Sequence, residues 1–394
     1  MVGKQIRSFL QALPIGLAKT PAAAPSEDLA NVPSGILDDL SKQVKKLPVP
    51  QPYQVAIREA FTEALRAWQA DPELEANSLV VLSQPDEAIA PILKASFQKD
   101  IPNCNLQYFL SGYQRPPDPL TILEHLQREL KPDAIDDSET LSASVTEADI
   151  QEDMPTVIVI PSLEQCFLRC IQGWEGIEYL QTFAAQDRSI FWVFGCNHWA
   201  WAFLEKVCQI DAYLEKAISL PKLSGEDLKT WLAVLVDTPL DISVADCPEV
   251  RVDEGKSEYW NVLTDQAEGS KMTAIRLWLQ SLRIRSDDLA EEGAVMTDVD
   301  KVILQQTKPA SLELMSLGVT DRYLLHSLLI HGEMTRSHLA LSLGEAERTI
   351  RSRVQVLQRE GIIIRQGRRL SIHPAYYPKL RSEMQNNNFL VGKR

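Results

Sequence analysis

Thr156–Ile160 reads TVIVI and Ser189–Phe194 reads SIFWVF. Each is a short, unbroken run of β-branched and aromatic residues with no polar face. That is the pattern of a strand covered on both sides, not of one with a wet face. Leu79–Leu82 is a third such run, and Leu106–Leu110 is a fourth candidate. Helical patterns separate them: Pro52–Ala70, Ala88–Gln98, Asp118–Leu130 and a helix around Leu163–Gln172. Strands alternating with helices predict a parallel α/β sheet with helices on both faces.

Away from this centre the pattern changes. After Leu220 it turns wholly helical, with helices expected at Gly225–Leu235, Glu258–Gln266 and Met272–Leu282, followed by a polar, acidic connection over 284–309. At the other end Ile6, Phe9, Leu10 and Leu13 give residues 1–13 a short amphipathic pattern, and residues 14–35 are rich in Pro and Ala and read as a linker. Residues 132–154 hold eight acids and no Lys or Arg, which predicts a solvated insert.

The chain has 394 residues, 45% of them apolar, and a net charge of −14. It is long enough for two or three domains, and too acidic to bind nucleic acid or anionic membrane over its whole surface. No run approaches the roughly 18 apolar residues of a membrane span, and Met1–Leu13 is a poor secretory signal. The six cysteines are scattered and never form a CxxC pair, so no disulfide framework, zinc site or other cofactor is expected, and a reducing cytoplasm fits. Motifs of the GxGxxG, HExxH, GxSxG and EF-hand types do not occur, the six histidines are dispersed, and Trp192, Trp199 and Trp201 read as core.

The C-terminal unit has a different chemistry. Residues 321–394 carry 13 Lys and Arg against 6 Asp and Glu, a net +7, which leaves −21 on the rest of the chain. Asp321–His331 is an apolar helix, Thr335 can cap a second through Leu343, and Gly344 turns into a third, Glu345–Glu360, closed by Gly361. The segment IIIRQGRRLSIHP then reads as two strands about a Gln366-Gly367 turn. This order resembles the winged-helix variant of helix-turn-helix. Ile350, Val354 and Leu357 share the inward face of the third helix, whereas Arg348, Arg351, Ser352, Gln355 and Arg359 fall away from it. Such side chains bond phosphates and base edges, and Arg365, Arg368 and Arg369 stand where a wing would meet DNA. A protein-interaction module with a solvated arginine stripe is the competing reading, with the acidic insert as an internal partner.

Four segments carry a wider resemblance. LEKAISLPKLSGEDLKTWL (Leu214–Leu232) looks like the passage from the last core strand into a helical lid, and EGSKMTAIRLWLQSL (Glu268–Leu282) looks like a later lid helix. TVIVIPSLEQ and SIFWVFGCN sit where the second phosphate-site strand and the sensor strand belong. Together they resemble an AAA-superfamily P-loop ATPase of the origin-recognition or STAND type. The resemblance implies an α/β class: a parallel-sheet P-loop-like core with an all-helical lid, plus a C-terminal winged-helix (α+β) domain. It divides the chain into 1–35, a core over 36–220, a lid over 221–284, a linker over 285–310 and a winged helix over 311–394.

The departures bear on function. After the first strand the chain reads VVLSQPDEAIAPIL, and Ser83–Pro91 contains no Gly, Lys or Thr. Pro85 and Pro91 each remove an amide, and Asp86 and Glu87 would repel a triphosphate. Pro161 and Ser162 stand where magnesium-holding acids belong, which leaves Glu164, Asn197 and Arg276 as vestigial site positions. The expectation is a catalytically inactive AAA-like scaffold or regulator whose winged helix binds duplex DNA. A protein partner, such as a related active ATPase, is also expected. The alternatives are a protein-interaction adaptor that never meets DNA, and an ATPase with an unorthodox phosphate site.

Overall fold

TVIVI is the strand it reads as: Thr156–Ile160 lies inside a parallel sheet, and its last four residues are buried. The computed structural model describes residues 29–98, 101, 104–109, 114–130, 154–236, 241–244, 255–286, 303–307, 309 and 312–390. The amphipathic N-terminal segment, most of the Pro/Ala-rich linker and all but the last residue of the acidic insert lie outside them.

The described chain opens with β1 (Leu29–Asn31), α1 (Ser34–Val44), α2 (Gln51–Ala70), β2 (Ser78–Ser83), α3 (Ile89–Ser96), β3 (Asn105–Tyr108) and α4 (Ile122–Leu130). It continues with β4 (Thr156–Ile160), α5 (Glu175–Gln186), β5 (Ile190–Asn197), α6 (His198–Cys208) and β6 (Ala217–Ser219). Next come α7 (Gly225–Val236), β7 (Asp241–Val244), α8 (Gly255–Gln266), α9 (Lys271–Ser281), β8 (Leu282–Arg285) and β9 (Ile303–Gln306). The last unit holds α10 (Val319–His331), α11 (Arg336–Leu343), α12 (Glu347–Arg359), β10 (Ile363–Gln366), β11 (Arg369–Ile372) and α13 (Tyr377–Asn386).

Five strands form the parallel sheet in the order β3-β4-β5-β2-β6. Alternate residues point to opposite faces, so each strand feeds two cores. Leu79, Val81, Val157, Val159, Phe191 and Val193 pack against α2 and α3. The α2 side chains that meet them, Tyr53, Ile57, Phe61, Leu65 and Trp68, recur at helical spacing behind Pro52 in the first turn. Val80, Leu82, Ile158, Ile160, Trp192 and Phe194 face the other way, onto a core that runs without a break into α7–α9 and the winged helix. Trp192, Trp199 and Trp201 are all buried in that core.

Three local expectations change. The expected helix over Leu163–Gln172 is a single 3-10 turn, Leu163–Gln165, and the regular helix begins at Glu175. Arg115, from another part of the chain, donates to the carbonyls of Glu164 and Phe167 in this segment. Gln172 then adopts φ +62°, outside the helical region. The three lid helices are accompanied by a second sheet, β1-β8-β9-β7, which draws β1 from the expected N-terminal linker and β9 from the expected 285–310 linker. In the wing Gln366 pairs with Arg369, so the two-residue turn is Gly367-Arg368, one residue later than expected, with Gly367 at φ +61°.

Candidate nucleic-acid interface

The loop after β2 is filled from within. Ser270 caps α9 by accepting from Thr273 N at 3.3 Å, and its hydroxyl donates to Asp86 Oδ2 at 2.6 Å. Thr273 Oγ1 stands 2.7 Å from the same Asp86 oxygen and 3.0 Å from Pro374 O. Glu87 Oε1 accepts from Lys271 N at 2.7 Å and from Tyr53 Oη at 3.3 Å, while Lys271 Nζ lies 3.3 Å from Glu87 Oε2. Two carboxylates thus sit at the N-terminus of α9, where the unpaired amides and helix dipole favour negative charge. Burial, followed by the charge of Glu87, pushes the Asp86 carboxyl up to about 6. Gln84 Oε1 accepts from Tyr377 Oη at 2.7 Å, and that oxygen accepts from Trp199 Nε1 at 2.9 Å. The loop therefore ties core, lid and winged helix together.

The three vestigial positions are buried or half-buried. Glu164 is buried in its 3-10 turn, and burial raises its carboxyl. Asn197 ends β5 and caps α6, accepting from Trp199 N and Ala200 N at 2.9 and 2.8 Å, while its Nδ2 donates to Ile330 O at 2.9 Å. Arg276 on α9 is half-buried, and its charge helps hold His373 neutral. Asn197 therefore fastens the winged helix to the sheet. Asn197→Ala is expected to cost about 2–3 kcal/mol in urea unfolding, the sum of a lost cap and a lost buried hydrogen bond.

The arginines lie at the other end of the winged helix. Ile350, Val354 and Leu357 of α12 are buried, and Arg348, Arg351, Ser352, Gln355 and Arg359 are exposed. The structure divides the eight sequence-derived residues between two surfaces. Arg351, Gln355, Arg365, Arg368 and Arg369 line one cavity of about 710 Å³. Arg348, Ser352 and Arg359 lie outside it, on the open face of α12. Arg369 is paired with Glu333 at 3.0 Å, and Arg365 Nε donates to Gly367 O at 2.6 Å, which stiffens the turn.

Two further arginines line the cavity. Arg336 opens α11, directly after the Thr335 cap, and Arg115 belongs to the core. The far wall is the loop 114–117, held against α11 by His338 Nε2, which lies 3.1 Å from the carbonyls of both Pro116 and Pro117. A ring nitrogen between two acceptors carries the proton. Arg115 is 3% exposed: its Nη2 donates to Glu164 O and lies 3.1 Å from His331 Nδ1, and burial pushes its pKa down to about 10. Arg336 had a signal in the Thr-Arg-Ser start of its helix. Arg115 had none, since nothing local marks a residue in QRPPDP as a partner of the C-terminal unit.

Among the described residues no helix is long and apolar enough to cross a membrane, and no cluster of three or more metal-ligating side chains occurs. No family model and no curated protein matches the chain.

Solved structures do match. Cdc6p from Pyrobaculum aerophilum is 14% identical, with a TM-score of 0.36 over 92% of this chain and 100% of that one. The Aeropyrum pernix ORC2 protein in ADPNP–ADP complexes is 11% identical, with a TM-score of 0.38 over 91% and 98%. The Aeropyrum pernix ORC1 protein in complex with DNA is 12% identical, with a TM-score of 0.33 over 91% and 98%. At these scores the likeness says nothing of function, which rests on the chain's own residues.

Proposed function

We propose that the chain is a non-hydrolysing AAA-like scaffold that holds duplex DNA through its winged helix. The observation that carries this reading is the convergence of α12, the wing and Arg336 on one basic surface, in a chain that is otherwise strongly acidic. Arg348 and Arg359 extend that surface along the open face of α12, where a major groove would lie. The guanidinium groups of Arg336, Arg348, Arg351, Arg359 and Arg368 have no partner among the described residues, so they are available to phosphates.

The absence of hydrolysis is supported by the loop after β2. A phosphate brought against it would meet Asp86 and Glu87 in place of a cradle of amides, and α9 already has both carboxylates at its N-terminus. With magnesium and ATP the chain is expected to release no inorganic phosphate above background. Steady release that a change at Glu164 abolishes would restore the ATPase reading.

DNA binding is tested by fluorescence anisotropy of a labelled duplex with the full chain. Five neutralised phosphates predict a slope of about −4 to −5 in log affinity against log salt. No binding at low salt would favour the protein-interaction adaptor.

A further inference from the structure

We propose that the cavity between the winged helix and the 114–117 loop is a site for a free oligophosphate, such as inorganic triphosphate or the triphosphate arm of a nucleotide, and that its occupation competes with DNA. The competition rests on the DNA-binding reading above; the anion site does not.

The cavity, about 710 Å³, falls within the roughly 300–1,000 Å³ typical of small-ligand sites. Arg115, Arg336, Arg351, Arg365, Arg368 and Arg369 line it, with Glu347 the one acid among the lining residues and Glu333 paired with Arg369 beside it. So many like charges around one space repel each other until an anion enters it. Guanidinium groups suit phosphate oxygens because their planar donors bind in pairs.

A second observation points the same way from the opposite wall. Arg115 lies in the cavity lining yet is almost wholly buried, and its Nη1 has no hydrogen-bond partner. A buried cation with an unsatisfied nitrogen is destabilising on its own and gains from a nearby anion. Thr335, Arg336 and Ser337 bring the first turn of α11 into the lining, and with it the positive end of that helix.

The walls decide which phosphates can enter. His338 holds the 114–117 loop to α11, and Gln165 Nε2 donates to His331 O at 3.2 Å, so core and winged helix are fixed on either side. A duplex can only span the mouth of a space of this size and meet its rim arginines, whereas a free oligophosphate can enter it. Duplex DNA has the open face with Arg348 and Arg359 as well; a small anion has only the cavity.

The test uses the full chain and sodium tripolyphosphate, with sodium sulfate at matched ionic strength as the control. Tripolyphosphate is expected to raise Tm and to displace a labelled duplex, while sulfate does neither to a comparable extent. Arg351→Glu and, separately, Arg368→Ala are expected to weaken tripolyphosphate at least tenfold in calorimetry. Arg348→Glu lowers DNA affinity and leaves tripolyphosphate binding in place. A variant at Asp86 also leaves it in place, which separates this cavity from the loop after β2. Equal effects of sulfate and tripolyphosphate, or tripolyphosphate binding that survives Arg351→Glu, overturn the proposal. If DNA binds and tripolyphosphate neither binds nor competes, the inference fails and the DNA reading stands. If tripolyphosphate binds and DNA does not, the anion site stands and the DNA reading fails.

Discussion

Acidifying the protein from pH 7 to pH 5 is expected to remove several kcal/mol of stability, lost where the winged helix meets the body. Five histidines sit at that junction, and each stands near an arginine. His331 and His338 face Arg115, His326 faces Arg169, His373 faces Arg276, and His198 faces Arg381. Burial is the first cause in every case and the arginine adds to it. His198, His326 and His373 are lowered from 6.5 to about 4, and His331 and His338 are lowered as well.

The sign follows from linkage. A base whose folded pKa is depressed stabilises the fold above its unfolded value and loses that contribution as pH falls toward the folded one. The window here runs from 6.5 down to about 4. By pH 5 each of the three rings lowered to about 4 has lost about 2 kcal/mol, together a large part of the roughly 5–15 kcal/mol that holds a fold. Asp86 works in the opposite direction, because its carboxyl is raised to about 6 and its contribution is lost as pH rises through that value. The Glu164 carboxyl, raised by burial, works the same way, and two carboxyls do not offset five imidazoles. Melting followed by tryptophan fluorescence should show Tm at pH 5 lower than at pH 7 by about 10 °C or more. Trp199 is the natural reporter, packed 5.8 Å from the His326 ring and bonded to Tyr377. A Tm that is flat or higher at pH 5 would remove this picture of the junction.

Breaking the contact between the loop after β2 and α9 is the second large effect. Glu87→Ala leaves Lys271 without its ion pair, Lys271 N without its acceptor and Tyr53 Oη without its hydrogen bond. The Glu87 side chain is 1% exposed and that of Lys271 14%, so water replaces little of this. Removing one partner of a buried pair costs about 3–5 kcal/mol, which urea unfolding would register as a large fall in midpoint. Asp86→Asn behaves differently. Its stability relative to the unaltered chain should improve as pH rises through about 6, because the neutral amide escapes the penalty on the buried carboxylate. A Glu87→Ala protein as stable as the parent would mean that lid and core are held by apolar packing alone.

The parallel sheet was legible because its strands are buried on both faces. TVIVI and SIFWVF have no polar register to confuse with a helix, and β4 begins and ends at the expected residues. The winged helix was legible because its caps are chemical: Thr335 Oγ1 accepts from His338 N, and Gly344 and Gly361 take positive φ. The second sheet was not, since its strands are three or four residues long and β1 pairs with β8 across most of the chain. No local period marks so short a strand. The outward arginines of α12 were legible from helical spacing, but spacing says nothing of which ones share a cavity with the core. That depends on the 114–117 loop, and on Arg115 reaching Glu164, Phe167 and His331.

DNA binding by the arginine surface of α12 and the wing, as proposed above, must be tested on the intact chain. The most direct measurement is anisotropy of a labelled duplex, titrated with the full chain and with its Arg348→Glu/Arg351→Glu variant at low and physiological salt. Both positions are exposed, so the variant should fold and melt like the parent. Binding by the parent should weaken steeply with salt, and the variant should lose at least 100-fold in affinity, since each reversal removes one phosphate contact and adds a repulsion. Equal affinity of parent and variant, or no binding by the parent at low salt, would contradict it.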